Sequence, residues 1–233
     1  MKTTLIAIVP AAGIGARALD SATKAQGLPK QYRLLGGQPM LRRSVQALLA
    51  DERISQVRVA VAPGDTWAAA ALEGLPRTVC LPCGGETRAE TVLNTLHSLD
   101  KDAEHWVLVH DAARPGLPRQ ALERLIDACL QAGRGGLLAL PVPDTVKRAT
   151  TIAPTAVQAT VDREGLWLAQ TPQCFPAHAL RAALQEAKEQ GLTVTDEASA
   201  MELTGSQPLL ILGSARNFKV TWPEDFELME KWL

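Results

Sequence analysis

Pro10-Ala11-Ala12-Gly13-Ile14-Gly15-Ala16-Arg17, followed at a distance by Pro29-Lys30-Gln31-Tyr32, decides the reading of this chain. The residues before it, Leu5 to Val9, are apolar and largely β-branched, as a strand buried on both faces requires. Gly13 and Gly15 let the loop after that strand bend tightly and bring backbone N–H groups close to an anion, with Arg17 and Lys30 as flanking cations. A glycine pair in a first strand-to-helix turn is also compatible with a plain tight turn. The Walker pattern is absent, because no Gly-Lys-Ser/Thr occurs. A dinucleotide fingerprint would place Ala18 at its third glycine and would want an acid after the second strand, where Val57 to Ala62 runs into Pro63-Gly64-Asp65.

Outward from the loop, short apolar runs alternate with amphipathic stretches. Helices are expected at Pro39 to Ala50, Trp67 to Leu75, Glu86 to Leu99, Pro118 to Ala132 and Pro176 to Gln190. Strands are expected at Val57 to Ala62, Thr78 to Cys83, Trp106 to Val109 and Gly136 to Val142. This rhythm predicts an α/β fold, a mostly parallel twisted sheet with helices on both faces, whose ligands bind at the carboxyl ends of the strands. It breaks between Pro143 and Phe175. There Asp144 to Arg148 and Val157 to Arg163 read as two extended runs around a Thr/Pro-rich turn, a protruding β-hairpin arm. A lone hairpin is marginal in water, so it leans on a second subunit or folds back on its own domain. Toward the end, Thr195 or Asp196 caps a helix running to Leu203, Pro208 to Leu212 and Phe218 to Thr221 are short strands, and Pro223 to Leu233 is a closing helix. The 233 residues read as one domain, with no repeat or compositional break.

With 46% hydrophobic residues the chain can bury a substantial core, and its net charge of -1 gives no global attraction to nucleic acid or anionic lipid. No apolar run of about 18 residues and no leader pattern is present, so we expect a cytoplasmic protein without membrane partners. The four cysteines make no disulfide framework, and the lone pair Cys80 and Cys83 reads as packing rather than as a zinc or redox site.

The chemistry lies at strand ends: Arg17 and Lys30, Asp111 and Arg114, and Lys219 beside Asn217. In a doubly wound sheet most of these ends share one face, so several cations converge on one carboxylate. That suits a magnesium ion shared with substrate phosphates and points to nucleotide triphosphate chemistry. A local salt bridge or helix cap is the plainer reading of Asp111 and Arg114, and a solvated lysine that of Lys219. No G-x-S-x-G or H-E-x-x-H pattern supports a hydrolase, and His110, next to Asp111, points to the other side of the sheet as a packed histidine.

The ordered motifs Pro10–Arg17, Pro29–Tyr32, Gly84–Arg88, Val109–Pro115, Asp144–Arg148, Val161–Trp167, Thr171–Gln173, Thr195–Ser199 and Asn217–Thr221 closely resemble those of 2-C-methyl-D-erythritol 4-phosphate cytidylyltransferases. The resemblance implies a Rossmann-like nucleotidyltransferase fold and attack of the phosphate of methylerythritol phosphate on the α-phosphorus of CTP, with pyrophosphate leaving. Such chemistry asks chiefly for positioning and electrostatic stabilisation. By motif, Arg17 and Lys30 would be catalytic, and Asp111 would hold magnesium against the triphosphate. Arg163 and Lys219 would clamp the attacking phosphate, with Arg114, Thr145 and Thr195 at the sugar-phosphate pocket. Ala11, Ala12, Gly13, Gly15, Gly85, Glu86, Arg88 and Thr91 would line the nucleotide pocket, where backbone amides could tell cytosine from uracil. The arm, about residues 143–170, would clasp a second copy and lend Thr145 and Arg163 to its site, making a homodimer. A loop with Asp20, Lys24 and Gly27 is longer than the resemblance leads us to expect, and Arg216 stands where an acidic or small residue is expected. A ribitol 5-phosphate cytidylyltransferase and a non-catalytic nucleotide-binding protein on the same fold remain as alternatives, and no cyclase domain is expected at the C-terminus.

Overall fold

The computed structural model describes residues 4–13, 28–100, 103–151, 153 and 155–233. Gly15, Arg17 and the loop carrying Asp20, Lys24 and Gly27 lie outside the described residues.

Strand β1 (Thr4–Pro10) sits inside a seven-stranded sheet. It pairs in parallel with β4 (Ile54–Ala60) on one side and β6 (His105–Val109) on the other. Beyond β4 comes β5 (Thr78–Leu81), again parallel. Beyond β6 come β10 (Trp167–Pro176), β7 (Gly136–Pro141) and, at the far edge, β11 (Leu209–Leu212). Only β10 runs antiparallel to its sheet neighbours. A two-stranded ladder of β2 (Leu34–Leu35) and β3 (Gln38–Pro39) lies apart from this sheet.

The alternation along β1 divides the core. Leu5, Ala7 and Val9 face a layer containing α1 (Met40–Leu49), α2 (Ala68–Leu72) and α4 (Arg119–Ala132). Ile6 and Ile8 face α3 (Arg88–His97), α5 (Ala177–Glu189) and α6 (Glu197–Leu203). Each face thus buries a continuous apolar layer, and truncating a fully buried side chain such as Ile8 to alanine should cost about 2–5 kcal/mol. A third, smaller cluster places α7 (Pro223–Glu230) through Phe226 and Met229 against Leu35, Met40 and Val220.

Helix ends follow the expected chemistry. The Thr87 hydroxyl accepts from the Glu90 N–H to cap α3, and Asp196, rather than Thr195, caps α6 through the Ser199 N–H at 2.9 Å. Gly205 adopts φ 82° just after the C-cap Thr204 of α6, a conformation that Cβ-bearing residues avoid.

Three expectations need correction. Residues 167–176, where the βα rhythm breaks, form the interior strand β10, between β7 and β6. Its Gln170, Thr171, Pro172 and Gln173 hide the strand from a hydrophobicity reading because the polar ones serve the site. Phe218 to Thr221 is not a strand: Val220 N–H donates to the Ala113 carbonyl, but its own carbonyl is taken by the Lys30 side chain, so no ladder extends. Cys80 is exposed on the edge strand β5 rather than packed, while Cys83 is half-buried beside Thr95.

The arm is real as a hairpin. Strand β8 (Val146–Ala149) pairs antiparallel with β9 (Val157–Val161) in a sheet of its own, leaving β7 and returning through β10. Nearly every described residue of these two strands is exposed, Val157 at 63%, so among the described residues the arm does not fold back on its own domain.

Candidate active site

The carboxyl ends of β1, β5 and β6 open onto a cleft of about 360 Å³ whose walls include Ala11 to Gly13, Lys30, Gly85 to Arg88, Thr91, Asp111 and Lys219. Its floor is organised around Asp111, which follows β6 and is 7% exposed. The Asp111 backbone N–H donates to the Thr171 hydroxyl, fixing the residue against β10. Lys219 Nζ lies 2.9 Å from Asp111 Oδ2, Arg88 Nε 3.1 Å from Oδ1 and Arg114 Nε 3.4 Å from Oδ2. Burial alone would push the Asp111 carboxyl up, but Arg88, Lys219 and Arg114 outweigh it and hold the group far below the usual carboxylate range. Asp111 is therefore ionised at every working pH.

Lys30 reaches the same cleft from the turn after the glycine loop and donates to the Val220 carbonyl at 2.7 Å. Its neighbour Gln31, buried and not singled out by the sequence reading, donates to the Ala11 carbonyl at 2.8 Å and ties the two arms of the loop together. Gly13 does not adopt a left-handed conformation, and among the described residues a Cβ there would meet nothing within 4 Å. Gly84 differs: a Cβ would stand 2.4 Å from that of Ala12, so glycine is what lets the two loops touch.

The amides of the second loop are largely spoken for. Gly85 N–H donates to the Thr91 hydroxyl and Glu86 N–H to the Glu90 carboxylate. With these partners the loop holds its shape, and Gly85 and Glu86 stay in the lining of the cleft.

A smaller recess of about 180 Å³ adjoins the first and shares Arg88, Asp111 and Lys219 with it. Arg114, Thr171 and Thr195 add to its lining, so two of the expected sugar-phosphate residues fall where a second anionic substrate would meet the first. Arg114 is held by the Asn217 carbonyl at 2.9 Å, and Asn217 in turn donates its side-chain amide to the Thr171 carbonyl at 2.7 Å. The His110 ring is buried between the Thr171 hydroxyl and the Arg114 carbonyl; complete burial pushes its pKa down to about 4. Arg216 lies over the Trp232 ring and adds no carboxylate to the cleft.

Thr145 and Arg163 are not brought to this cluster. Both are exposed on the arm, where Arg163 donates to the Pro143 carbonyl. Gln173 and Glu197, inside the quoted motifs but given no role, prove buried and structural to the site wall. Gln173 donates to Asp196 and accepts from the Ala198 N–H, and Glu197 grips Arg88.

For magnesium, the donor set fits a particular arrangement. No cluster of three or more His, Cys, Asp or Glu side chains suited to a metal occurs among the described residues. A single ionised carboxylate on a cleft floor matches an ion that takes most of its oxygens from water and phosphate.

One buried carboxylate ringed by cations at the carboxyl ends of a doubly wound sheet defines a nucleotidyltransferase-type site. The model of the family 2-C-methyl-D-erythritol 4-phosphate cytidylyltransferase matches residues 5–233, and the chain belongs to that family. It is 65% identical over 233 residues to the Bordetella petrii protein of that name, covering 100% of both chains. A crystal structure of a 4-diphosphocytidyl-2C-methyl-D-erythritol synthase aligns with a TM-score of 0.84 at 41% identity, covering 100% of this chain and 99% of the other. The Francisella tularensis 2-C-methyl-D-erythritol 4-phosphate cytidylyltransferase aligns at 0.83 and 31% identity, over 99% of this chain and 100% of the other.

Proposed function

We propose that this chain transfers the cytidylyl group of CTP to 2-C-methyl-D-erythritol 4-phosphate, releasing pyrophosphate and forming 4-diphosphocytidyl-2-C-methyl-D-erythritol for isoprenoid precursor synthesis. The observation that carries this is the pair of adjoining recesses that share Arg88, Asp111 and Lys219. The larger suits a nucleotide and the smaller a polyol phosphate, and the shared cations stand where two phosphates must approach. Holding two anions together is the main cost of this reaction, so fixed cations are its main requirement. Lys30 and Lys219 stabilise the charge gathering on the α-phosphate and the attacking phosphate, with Arg17 assigned the same task by its motif. Asp111 would hold magnesium, which when bound neutralises triphosphate charge.

A homodimer is part of the same reading. The two-sided exposure of the arm, with Val157, Leu166, Trp167 and Leu168 uncovered, supports an arm that rests on a second copy and carries Thr145 and Arg163 to the partner's smaller recess. No helix among the described residues is long and apolar enough to cross a membrane, and a cytoplasmic setting is inferred from the use of CTP.

Pyrophosphate release from CTP and magnesium, with methylerythritol phosphate or ribitol 5-phosphate as acceptor, tests the proposal. Release with the first acceptor, lost in Lys30→Ala, is the expected result. Preference for ribitol 5-phosphate would move the protein to another substrate, and no release with either would return it to a binding role.

A further inference from the structure

We propose that Glu197 is a positioning residue for this site: it occupies the forked end of Arg88, so that Arg88 meets Asp111 through Nε rather than through its two terminal nitrogens, which limits its hold on a carboxylate that a divalent cation would have to share. The inference rests on the proposed cytidylyl transfer and concerns a residue to which neither the family motif nor the sequence reading gives a role.

The geometry is specific. Glu197 Oε1 accepts from Arg88 Nη1 at 2.7 Å and Oε2 from Nη2 at 3.0 Å, a bidentate pair. Of the three N–H groups left, the one on Nε meets Asp111 Oδ1 at 3.1 Å. Glu197 opens α6, where an acidic side chain is favourable simply as a partner of the helix dipole and would ordinarily stay in water. Here it is 1% exposed, a burial that only a well-matched partner makes tolerable. Its position is fixed independently of Arg88, since Asp196 and Ala198 on either side are both held by the Gln173 side chain on β10.

Two consequences follow from charge and shape. Without Glu197 the Arg88 fork would be free to turn onto Asp111, the arrangement a guanidinium prefers with a carboxylate, and would tighten the cationic cover on oxygens that Lys219 and Arg114 already share. Neutralising Glu197 also leaves one more positive charge beside the place a divalent cation must occupy. Both effects oppose magnesium, whereas the added positive charge favours a bare triphosphate.

That difference in sign makes the test. CTP binding is titrated calorimetrically with and without magnesium in the wild type, Glu197→Gln and Glu197→Asp, alongside the magnesium dependence of turnover. In Glu197→Gln, CTP affinity with magnesium should fall about tenfold, and the magnesium needed for half-maximal rate should rise similarly, while metal-free CTP affinity is kept or improved. Glu197→Asp, which keeps the charge, should restore most of the magnesium response. Equal loss of CTP affinity with and without magnesium would make Glu197 merely structural, and values within twofold of wild type would overturn the proposal outright. Should Glu197→Gln fail to fold, Glu197→Asp decides by itself: the wild-type ratio of the two affinities is expected, and a tenfold fall of that ratio overturns the idea. The titrations need no turnover, so a wild type that binds CTP yet releases no pyrophosphate would sink the proposed reaction and leave the Glu197 result legible.

Discussion

The corner around Asp111 and the arm from β8 to β9 hold residues proposed for the same reaction in opposite physical conditions. Around Asp111 the side chains are cross-linked on a buried carboxylate and fixed before any substrate arrives: Arg88 between Glu197 and Asp111, Arg114 on the Asn217 carbonyl, Lys219 on Asp111. On the arm, Thr145 and Arg163 are exposed on a two-stranded ribbon that no described part of the chain supports. Preorganised charge is what the transition state requires, because dipoles already in place need no reorganisation. Ordering an exposed arm requires another surface. The difference teaches that the described residues fix the Asp111 corner within one chain, whereas the proposed role of the arm would need a second copy.

Removing the anion at the centre should strike hardest. Asp111→Asn leaves Arg88, Arg114 and Lys219 facing one another without their common partner, and turnover should fall at least a thousandfold, equivalent to about 4 kcal/mol. Steady-state kinetics together with a thermal melt check this. A variant keeping a tenth of wild-type activity would show that Asp111 is only a structural hub. Lys30→Ala comes next, with a loss on the order of a hundredfold in kcat and little change in melting temperature, since its side chain reaches a carbonyl rather than a core. If only KM for CTP rose, Lys30 would be a ground-state contact.

The arm side predicts a smaller and more distinctive effect. Arg163→Ala should lower kcat/KM for the polyol phosphate roughly tenfold, leave CTP binding alone and leave the melting temperature unchanged, as expected of an exposed side chain. Mixing it with Lys219→Ala sharpens the comparison. If arms cross between subunits, mixed dimers contain one intact site, and an equimolar mixture should recover about a quarter of wild-type activity. No recovery, with subunit exchange verified, would place Arg163 in its own chain's site or in none.

How far the sequence foretold this division can be read residue by residue. The strands carrying Pro10 to Gly13 and His110-Asp111 were legible because they are apolar runs ending in polar punctuation, and a doubly wound sheet puts such ends together. The convergence of Arg114 and Lys219 on Asp111 followed from the same rule. Strand β10 was not legible, since a strand that builds the site wall with Gln170, Thr171 and Gln173 loses the pattern that announces strands. Glu197 was hidden for a related reason: an acid in a first helical turn reads as a solvated dipole partner, and only the fold reveals Arg88, 109 residues away, against it. The arm was legible as a hairpin from its alternation, while its freedom from its own domain depended on exposure that no pattern encodes.

The mildest prediction concerns the buried side's dependence on acid. His110 has its pKa pushed down to about 4 by complete burial, against about 6.5 in an unfolded chain, so the fold favours the neutral ring. Above pH 6.5 both states hold the ring neutral and stability is full. As pH falls below 6.5 the unfolded chain takes up a proton that the folded chain refuses, and stability drops until the folded ring also titrates near 4. From pH 7 to pH 5 this amounts to about 2 kcal/mol. Urea unfolding at the two pH values, for the wild type and for His110→Gln, isolates it: the wild type should lose about 2 kcal/mol more than the variant across that interval. Because the ring stays neutral throughout, the pH profile of kcat between 5.5 and 8 should show no inflection assignable to His110. An inflection abolished by the substitution would mean that the buried wall is not as closed as the arm is open.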